Sequence, residues 1–286
     1  ALLGLIATLL SVFGLGQYGA GLFIGTPFVM GVLAAYLVNQ SENRGLRVSI
    51  SVALLSVVVC AGALLLTALE GGLCLVMASP IALVLSGLGG LLGHGMVKLY
   101  ANAQTSLTAL TFALPLLMVT HSVLPTNPEE HAVETIIEID APPEKVWPNV
   151  VGFSELPIPK DWLLKTGIAI PLRARIDGEG VGAIRYCEFT TGPFVEPITA
   201  WEYPHRLAFD VIKQPPSMKE WSPYQVVHAP HLVEGLVSRR GQFKLVRIGV
   251  NKTRLEGTTW YTINMRPQLY WSFWADGLIH AIHGRV

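Results

Sequence analysis

The sequence predicts a multi-span helical membrane domain followed by an α+β domain whose antiparallel sheet wraps around a long C-terminal helix. The first observation is charge: residues 1–125 hold five Asp, Glu, Lys or Arg side chains, and the other 161 residues hold 35. The second is order: after residue 133 the pattern changes to a strand, two short helices, many strands and a final helix. We therefore divide the chain into a membrane domain at 1–124, a linker at 125–132 and a second domain at 133–286.

The membrane domain is predicted to contain four to five spans. A bilayer core requires about 20 consecutive apolar residues per helix. Since no ionisable pair lies within the apolar stretches, and transporters usually bury charges at membrane depth, we expect an anchor rather than a pump or a channel. The stretches are 18–39, 46–69, 73–97 and 105–124, with a shorter first one at 1–15.

The basic residues between the spans predict an orientation. Arg44 and Arg47 follow the second apolar stretch and Lys98 follows the fourth, whereas Glu70 lies in the loop between. Because cytoplasmic loops are enriched in Lys and Arg, the second domain is expected outside the cytoplasm, at a bacterial inner membrane. The chain starts without Met and ends inside a helical pattern, so we expect it to be clipped at both ends.

Composition excludes several classes of function. The formal net charge is zero and no basic stripe is present, which argues against a nucleic-acid partner. The three cysteines have no spacing typical of a metal site or a disulfide framework. No phosphate-binding glycine loop or nucleophile signature occurs, and we expect neither a cofactor nor a metal.

The second domain reads as a sheet covered on one face. A strand at 133–140 precedes a helix at 143–152 and a second short helix at 160–166. A proline-rich segment at 214–232 reads as a long loop, and an aromatic helix begins near Gln268. Because one helix cannot fill the concave face of six or seven strands, we expect a cavity. The remaining strands are predicted at 172–177, 181–191, 195–203, 206–213, 240–250 and 253–265.

Three motifs resemble the START-like helix-grip superfamily, the SRPBCC group that includes polyketide cyclases and lipid-transfer domains. The motifs are Glu138-Ile139-Asp140-Ala141-Pro142-Pro143-Glu144-Lys145-Val146-Trp147, Gly180-Val181-Gly182-Ala183-Ile184-Arg185-Tyr186, and Ile198-Thr199-Ala200-Trp201-Glu202 before Pro204-His205-Arg206-Leu207. The resemblance covers about residues 133–286. It implies a seven-stranded sheet around a C-terminal helix with a hydrophobic cavity, and no shared catalytic set.

The final helix carries the most specific polar pattern. Asp276, His280 and His283 stand at i, i+4 and i+7 and therefore share a face. Such a row is compatible with a solvated face, with contact to a polar ligand head, with acid–base chemistry, or with a divalent metal.

Two strands supply further candidates. Alternation places Glu256 and Trp260 on one face of their strand and Thr259 and Tyr261 on the other, and either face is compatible with the interior. An inward Glu256 would need a partner such as His280 or His283. Arg185 and Glu188 lie on opposite faces of a shorter strand. The candidate ligand-binding residues are Arg185, Glu188, Trp201, Glu256, Trp260, Tyr261, Asp276, His280 and His283.

Our leading hypothesis is membrane-anchored binding or transfer of a lipid or another hydrophobic small molecule, with the bilayer as the other partner. This reading favours a protein that is not an enzyme. One alternative is a cyclase or hydrolase that uses Glu256 and the histidine row for acid–base catalysis. Another is a sensory or structural membrane protein.

Overall fold

The computed structural model divides the chain into two compact units. Unit 1 comprises Ala1–Asn127 with Glu220–Pro230 and Met265–Tyr270, and unit 2 comprises Pro128–Lys219, His231–Asn264 and Trp271–Val286. Of the predicted linker, residues 125–128 lie outside the described part, and the first strand begins at Glu130. The structure describes residues 1–42, 44–99, 103–123, 129–159, 161–225, 227 and 229–286.

Unit 1 is helical at the five positions where apolar stretches were predicted. Three of its helical segments are long and apolar enough to cross a membrane, namely Gly21–Asn39, Leu46–Leu66 and Gly72–Val97, while Leu2–Gly14 and Leu107–Thr120 are shorter apolar helices. The helices are α1 (Leu2–Thr8), continued by a π-helix (Leu9–Gly14), a second π-helix (Gly21–Gly25), α2 (Thr26–Asn39), α3 (Leu46–Leu66), α4 (Gly72–Leu99) and α5 (Ala103–Val123).

Helices α2 and α4 approach each other closely because glycines lie at their contact. A Cβ atom on Gly31 would overlap the carbonyl oxygen of Ser86, and one on Gly89 would overlap that of Phe28 and lie 3.0 Å from the backbone nitrogen of Val32. Small residues permit such a close approach of two helices.

A buried polar network joins α2, α3 and α4. The Asn39 amide Nδ2 donates to the Ser49 hydroxyl at 2.7 Å, and that hydroxyl lies 2.9 Å from Nδ1 of His94. All three side chains are buried. Each helix therefore contributes a polar group to a partner on another helix, which is how such groups are accommodated away from water.

The first turn of α4 is capped by a residue far along the chain. Backbone amides of Leu73 and Cys74 donate to the Glu220 carboxylate, the former at 2.9 Å, and the Gly72 amide donates to the Trp221 carbonyl at 2.8 Å. The first amides of a helix have no partner within the helix, and a negative charge at that end is stabilising. Residues predicted as a plain loop thus complete α4.

Unit 2 contains the predicted antiparallel sheet and C-terminal helix. Its seven strands are hydrogen-bonded in the order β1-β7-β6-β5-β4-β3-β2, and every neighbouring pair is antiparallel. The elements are β1 (Glu130–Ile139), α6 (Pro143–Val151), β2 (Pro171–Asp177), β3 (Ile184–Phe189), β4 (Gly192–Glu202), β5 (Arg206–Asp210), α7 (His231–Glu234), β6 (Leu236–Gly249), β7 (Lys252–Ile263) and α8 (Gln268–His283).

The two larger helices of unit 2 cover different parts of one sheet face. Helix α6 places Val146, Trp147 and Val150 in a core cluster with Leu207 and Leu245 of the sheet. The second short helix predicted at 160–166 is only a 3₁₀ turn at Leu163–Lys165. Such short turns have poor hydrogen-bond geometry and rarely extend.

Replacing Gly89 by alanine should destabilise unit 1, because the new methyl group forces α2 and α4 apart. We expect a loss of about 1–3 kcal/mol in unfolding free energy, the usual cost of overpacking. Gly87→Ala on the same helix is the matched control, since its Cβ would meet Leu54 at an ordinary 3.9 Å. Denaturant unfolding of the purified chain in detergent measures both, and equal stabilities would contradict the close contact.

Candidate functional site

A cavity of about 150 Å³ lies in unit 2 between the sheet and the C-terminal half of α8. The strands contribute mainly every second residue to it, because side chains alternate between the two faces of a sheet. Ile279, Ile282 and His283 of α8 lie opposite. The inward strand residues are Arg185, Cys187, Phe189, Phe194, Glu196, Phe209, Gly241, Phe243 and Thr259.

A buried ion pair lies in the cavity wall. Nη1 of Arg185 donates to Oε2 of Glu196, and Nε of Arg185 donates to the Val151 carbonyl at 3.1 Å. The two side chains are 3% and 7% exposed. Burial raises the pKa of Glu196, against the opposing influence of Arg185. Since charges leave water at high cost unless paired, Glu196 is the counter-ion that allows Arg185 to lie here.

Aromatic rings surround this pair and form much of the apolar wall. The Arg185 guanidinium lies 5.4 Å from the centroid of the Phe209 ring and 5.9 Å from that of Phe243. Phe189 and Phe194 form a second pair of rings, with centroids 4.6 Å apart. Ring faces attract the cation and present flat apolar surface to the interior.

Cys187 also lines the cavity, next to Arg185 along the inward face of β3. Burial raises the pKa of this thiol to about 12. Since the thiolate is the nucleophilic form, Cys187 is an apolar wall residue at neutral pH.

The side-chain amide of Gln214 holds the loop that follows β5 against β6. Nε2 of Gln214 donates to the carbonyls of Val233 and Leu236 at 3.0 and 2.7 Å, and its Oε1 accepts from the Ser238 amide at 2.8 Å. Gln214 lines the cavity with its neighbours Pro215 and Pro216. Sequence reasoning missed this residue, because a glutamine in a proline-rich loop carries no distinguishing pattern.

The polar row of α8 faces β1 and β7. The Tyr261 hydroxyl donates to Asp276, and the Thr135 hydroxyl lies 2.8 Å from Nδ1 of His280 and 2.9 Å from Nδ1 of His283. The other ring nitrogen of His283 lies 2.8 Å from the Thr259 hydroxyl. The row therefore attaches α8 to the sheet through hydroxyl groups.

His283 is the member of the row that reaches the cavity. Burial, with a smaller contribution from nearby His280, lowers the pKa of His283 to about 4. A neutral imidazole has one donor and one acceptor nitrogen, and a threonine hydroxyl satisfies either. His283 is thus neutral and fully hydrogen-bonded at neutral pH.

The nine predicted ligand-binding residues are distributed over several places. Arg185 and His283 line the cavity, and Tyr261, Asp276 and His280 join α8 to the sheet. Trp201 packs edge-on against Trp147 in the α6 cluster, with ring centroids 5.5 Å apart. The other three have partners on the opposite sheet face. The Glu188 carboxylate lies 2.7 Å from Nε of Arg173, and the Glu256 carboxylate lies 2.9 Å from Nε of Arg254. The guanidinium carbon of Arg240 lies 4.6 Å from the centroid of the Trp260 ring.

Glu256 therefore does not meet the histidine row, as its hypothetical pairing with His280 or His283 would require. Thr259 and Tyr261 of the same strand contact α8. Side chains alternate between the two sheet faces along a strand, so Glu256 points to the face opposite α8. Arg254, two residues earlier on the same face, is its counter-ion.

No protein-family model and no curated protein matches the chain. Solved structures similar to part of it include truncated norcoclaurine synthase from Thalictrum flavum, 13% identical, covering 57% of this chain and 94% of that one, with a TM-score of 0.34. The Aha1 dimer from Colwellia psychrerythraea is 15% identical, with 54% and 93% covered and a TM-score of 0.30. An HSP90 activator from Plasmodium falciparum is 15% identical, with 47% and 73% covered and a TM-score of 0.26.

These likenesses carry no information about ligand or reaction. The helix-grip arrangement of unit 2 rests on its own geometry, which is seven antiparallel strands with α8 hydrogen-bonded across one face. The architecture that the sequence motifs implied is confirmed at this level.

Removing one member of the buried ion pair should lower the stability of unit 2 more than replacing both members does. Glu196→Ala leaves the Arg185 charge buried without a counter-ion, and we expect a loss of about 3–5 kcal/mol in the stability of unit 2. The double change Arg185→Met with Glu196→Leu replaces charge with apolar volume and should cost less. Denaturant unfolding followed by tryptophan fluorescence compares them, and a double variant as unstable as Glu196→Ala would contradict the account.

Acid should destabilise unit 2 through His283. Its pKa is about 4 when folded against an ordinary value of 6.5, so the stabilisation is present above about pH 6.5 and is lost as the pH falls towards 4. Buried His231 also has a pKa lowered to about 4, which acts in the same direction. The test therefore compares the fall in thermal midpoint on acidification in wild type and in His283→Asn. The variant should lose part of this pH dependence, and an unchanged dependence would contradict the assignment.

Proposed function

We propose that unit 2 binds a compact, uncharged and largely apolar molecule in its cavity, and that the apolar helices of unit 1 keep this binding unit at a bilayer. The observation that carries the proposal is the cavity itself. It is lined by aromatic and aliphatic side chains and by a few polar groups that already have partners. Pockets of this kind are typical small-molecule sites.

Cavity size favours a small ligand or the end of a longer one. Sites for drug-sized molecules usually measure about 300–1,000 Å³, whereas this cavity is about 150 Å³. A cavity of that volume in another protein accepts a single benzene ring. The proposed ligand is therefore a single-ring compound, a short chain or one terminus of a lipid.

The electrostatics favour an uncharged ligand. Glu196 balances the charge of Arg185. Arg240 also borders the cavity, but its guanidinium points to the other sheet face, where it is paired with Glu130 at 2.7 Å. Burial keeps His283 neutral. A charged ligand group would enter without a free counter-charge among the described lining residues, and burying an unpaired charge is costly.

Anchoring to a membrane is supported by the three long apolar helices of unit 1. A tethered binding unit meets ligands dissolved in the bilayer at high effective concentration. Arg44, just before α3, and Arg47, in the first turn of α3, support the orientation in which unit 2 lies outside the cytoplasm. The same proposal includes transfer of a lipid between membranes, and it places the protein at the inner membrane of a bacterium.

Cyclase or hydrolase chemistry receives less support. It relied on Glu256 acting with the histidine row, and Glu256 lies on the other sheet face with Arg254. His283 alone reaches the cavity from that row, with a pKa of about 4, well below the value near the operating pH that suits a general base.

Filling the cavity should weaken binding. Organic extraction and mass spectrometry of the purified full chain should recover an apolar compound from wild type. Cys187→Phe places a ring in the cavity, where it occupies the space of the ligand, and should lower the recovered amount about tenfold, which corresponds to about 1.4 kcal/mol of binding free energy.

Val181→Phe is the control, because residue 181 is 69% exposed, and it should retain the compound. Repeated recovery of nothing from wild type would contradict the proposal. Equal recovery from wild type and Cys187→Phe would place the compound elsewhere.

A further inference from the structure

A second cavity, of about 130 Å³, lies inside unit 1. It is bordered by α1, α2, α3 and α4 and by the π-helical segment before α2. Small residues keep it open, because Ala61, Ala78 and Ala82 line it where larger side chains would fill the space. An apolar space of this size leaves its lining atoms without contacts on one side, so a fitting occupant gains dispersion energy.

The hydroxyl groups at its border are directed into their own helices, with one exception. Thr8 donates to the Gly4 carbonyl at 2.9 Å and Ser79 to the Val76 carbonyl at 2.9 Å. These residues therefore present mainly carbon atoms to the cavity. The Tyr18 hydroxyl instead donates to the Glu70 carboxyl at 3.0 Å, and both residues line the space. The cavity thus has a polar end and an apolar body.

The apolar body is suited to a flat ring. The rings of Tyr18 and Phe23 lie at 23° to each other with centroids 6.3 Å apart, and both border the cavity. Met30 and Cys60 add polarisable sulfur atoms to the wall. Aromatic rings pack favourably against other rings and against sulfur.

We propose that the unit 1 cavity binds a compact, uncharged aromatic molecule with one hydroxyl or carbonyl group, whose ring lies among the apolar helices and whose polar group meets Tyr18 and Glu70. The membrane unit is then a binding module in its own right and not only an anchor. This site is separate from the cavity of unit 2 and does not depend on it.

Glu70 supports a neutral ligand over a charged one. Burial, with a smaller contribution from the charge of Glu220, raises its pKa to about 8, although the hydrogen bond from Tyr18 opposes the shift. At neutral pH the carboxyl group is therefore mainly protonated. It can donate a hydrogen bond to a carbonyl or hydroxyl oxygen and accept one from a hydroxyl.

The test uses 4-fluorophenol as the probe and the purified full chain in detergent micelles. Fluorine NMR titration separates a saturable component from linear partitioning into the micelle. Wild type is titrated first, and every other protein in the series carries Cys187→Phe, which fills the unit 2 cavity. Saturable binding should persist in this background and should weaken about tenfold or more on adding Ala61→Leu, because the larger side chain occupies the space. Fluorobenzene, which lacks the hydroxyl, should bind severalfold more weakly than the phenol.

Gly62→Leu is the matched control, since a Cβ there meets open space, and it should leave binding unchanged. Ala82→Leu is a second filling variant in case Ala61→Leu does not fold, which thermal unfolding of each variant detects. Binding that survives both filling variants, or that lacks a saturable component, overturns the proposal. Binding that is present in wild type and abolished by Cys187→Phe alone also overturns it, while leaving the proposed function of unit 2 intact.

Discussion

The division of one sheet face between α6 and α8 determines the shape of unit 2. Trp147 and its neighbours on α6 fill the region over Leu207 and Leu245, while α8 is attached through hydroxyl contacts to β1 and β7. The cavity lies over the part of the sheet next to Phe209 and Gly241. The position of the space therefore follows from where the two helices lie on the sheet.

The ion pair of Arg185 and Glu196 is compatible with this arrangement because both partners come from adjacent strands. Residues 185 and 196 face each other directly in the β3–β4 register, so the pair forms without bending either chain. The surrounding phenylalanines exclude water from it, and low local polarity strengthens a satisfied pair while penalising a broken one. The two charges in the cavity wall therefore cancel, and a substitution that removes one of them should be destabilising.

Much of the fold could be predicted from sequence, because charge density and residue period are local properties. The near absence of charge before residue 125 predicted apolar helices, and the alternation after residue 133 predicted strands. The spacing of Asp276, His280 and His283 predicted their shared face. The site was harder. Alternation defines the two faces of a strand but does not say which face is covered. The sequence therefore could not tell whether Glu256 or Thr259 points to the interior. Glu196 was missed because its partner is identified only by strand register.

Contacts between distant segments were also beyond sequence reasoning. The network of Asn39, Ser49 and His94 joins three helices, and no local pattern marks it. The same holds for Glu220 at the first turn of α4.

That last contact determines how the chain can be dissected. A fragment ending near residue 127 would contain every apolar helix of unit 1 and yet lack the carboxylate that accepts the amide protons of Leu73 and Cys74. The α4 of that fragment would begin with amide donors that have lost their acceptor, at two residues that are buried in the intact unit. Unit 1 is therefore encoded by three separated stretches of sequence, and a cut after the first of them would leave it incomplete.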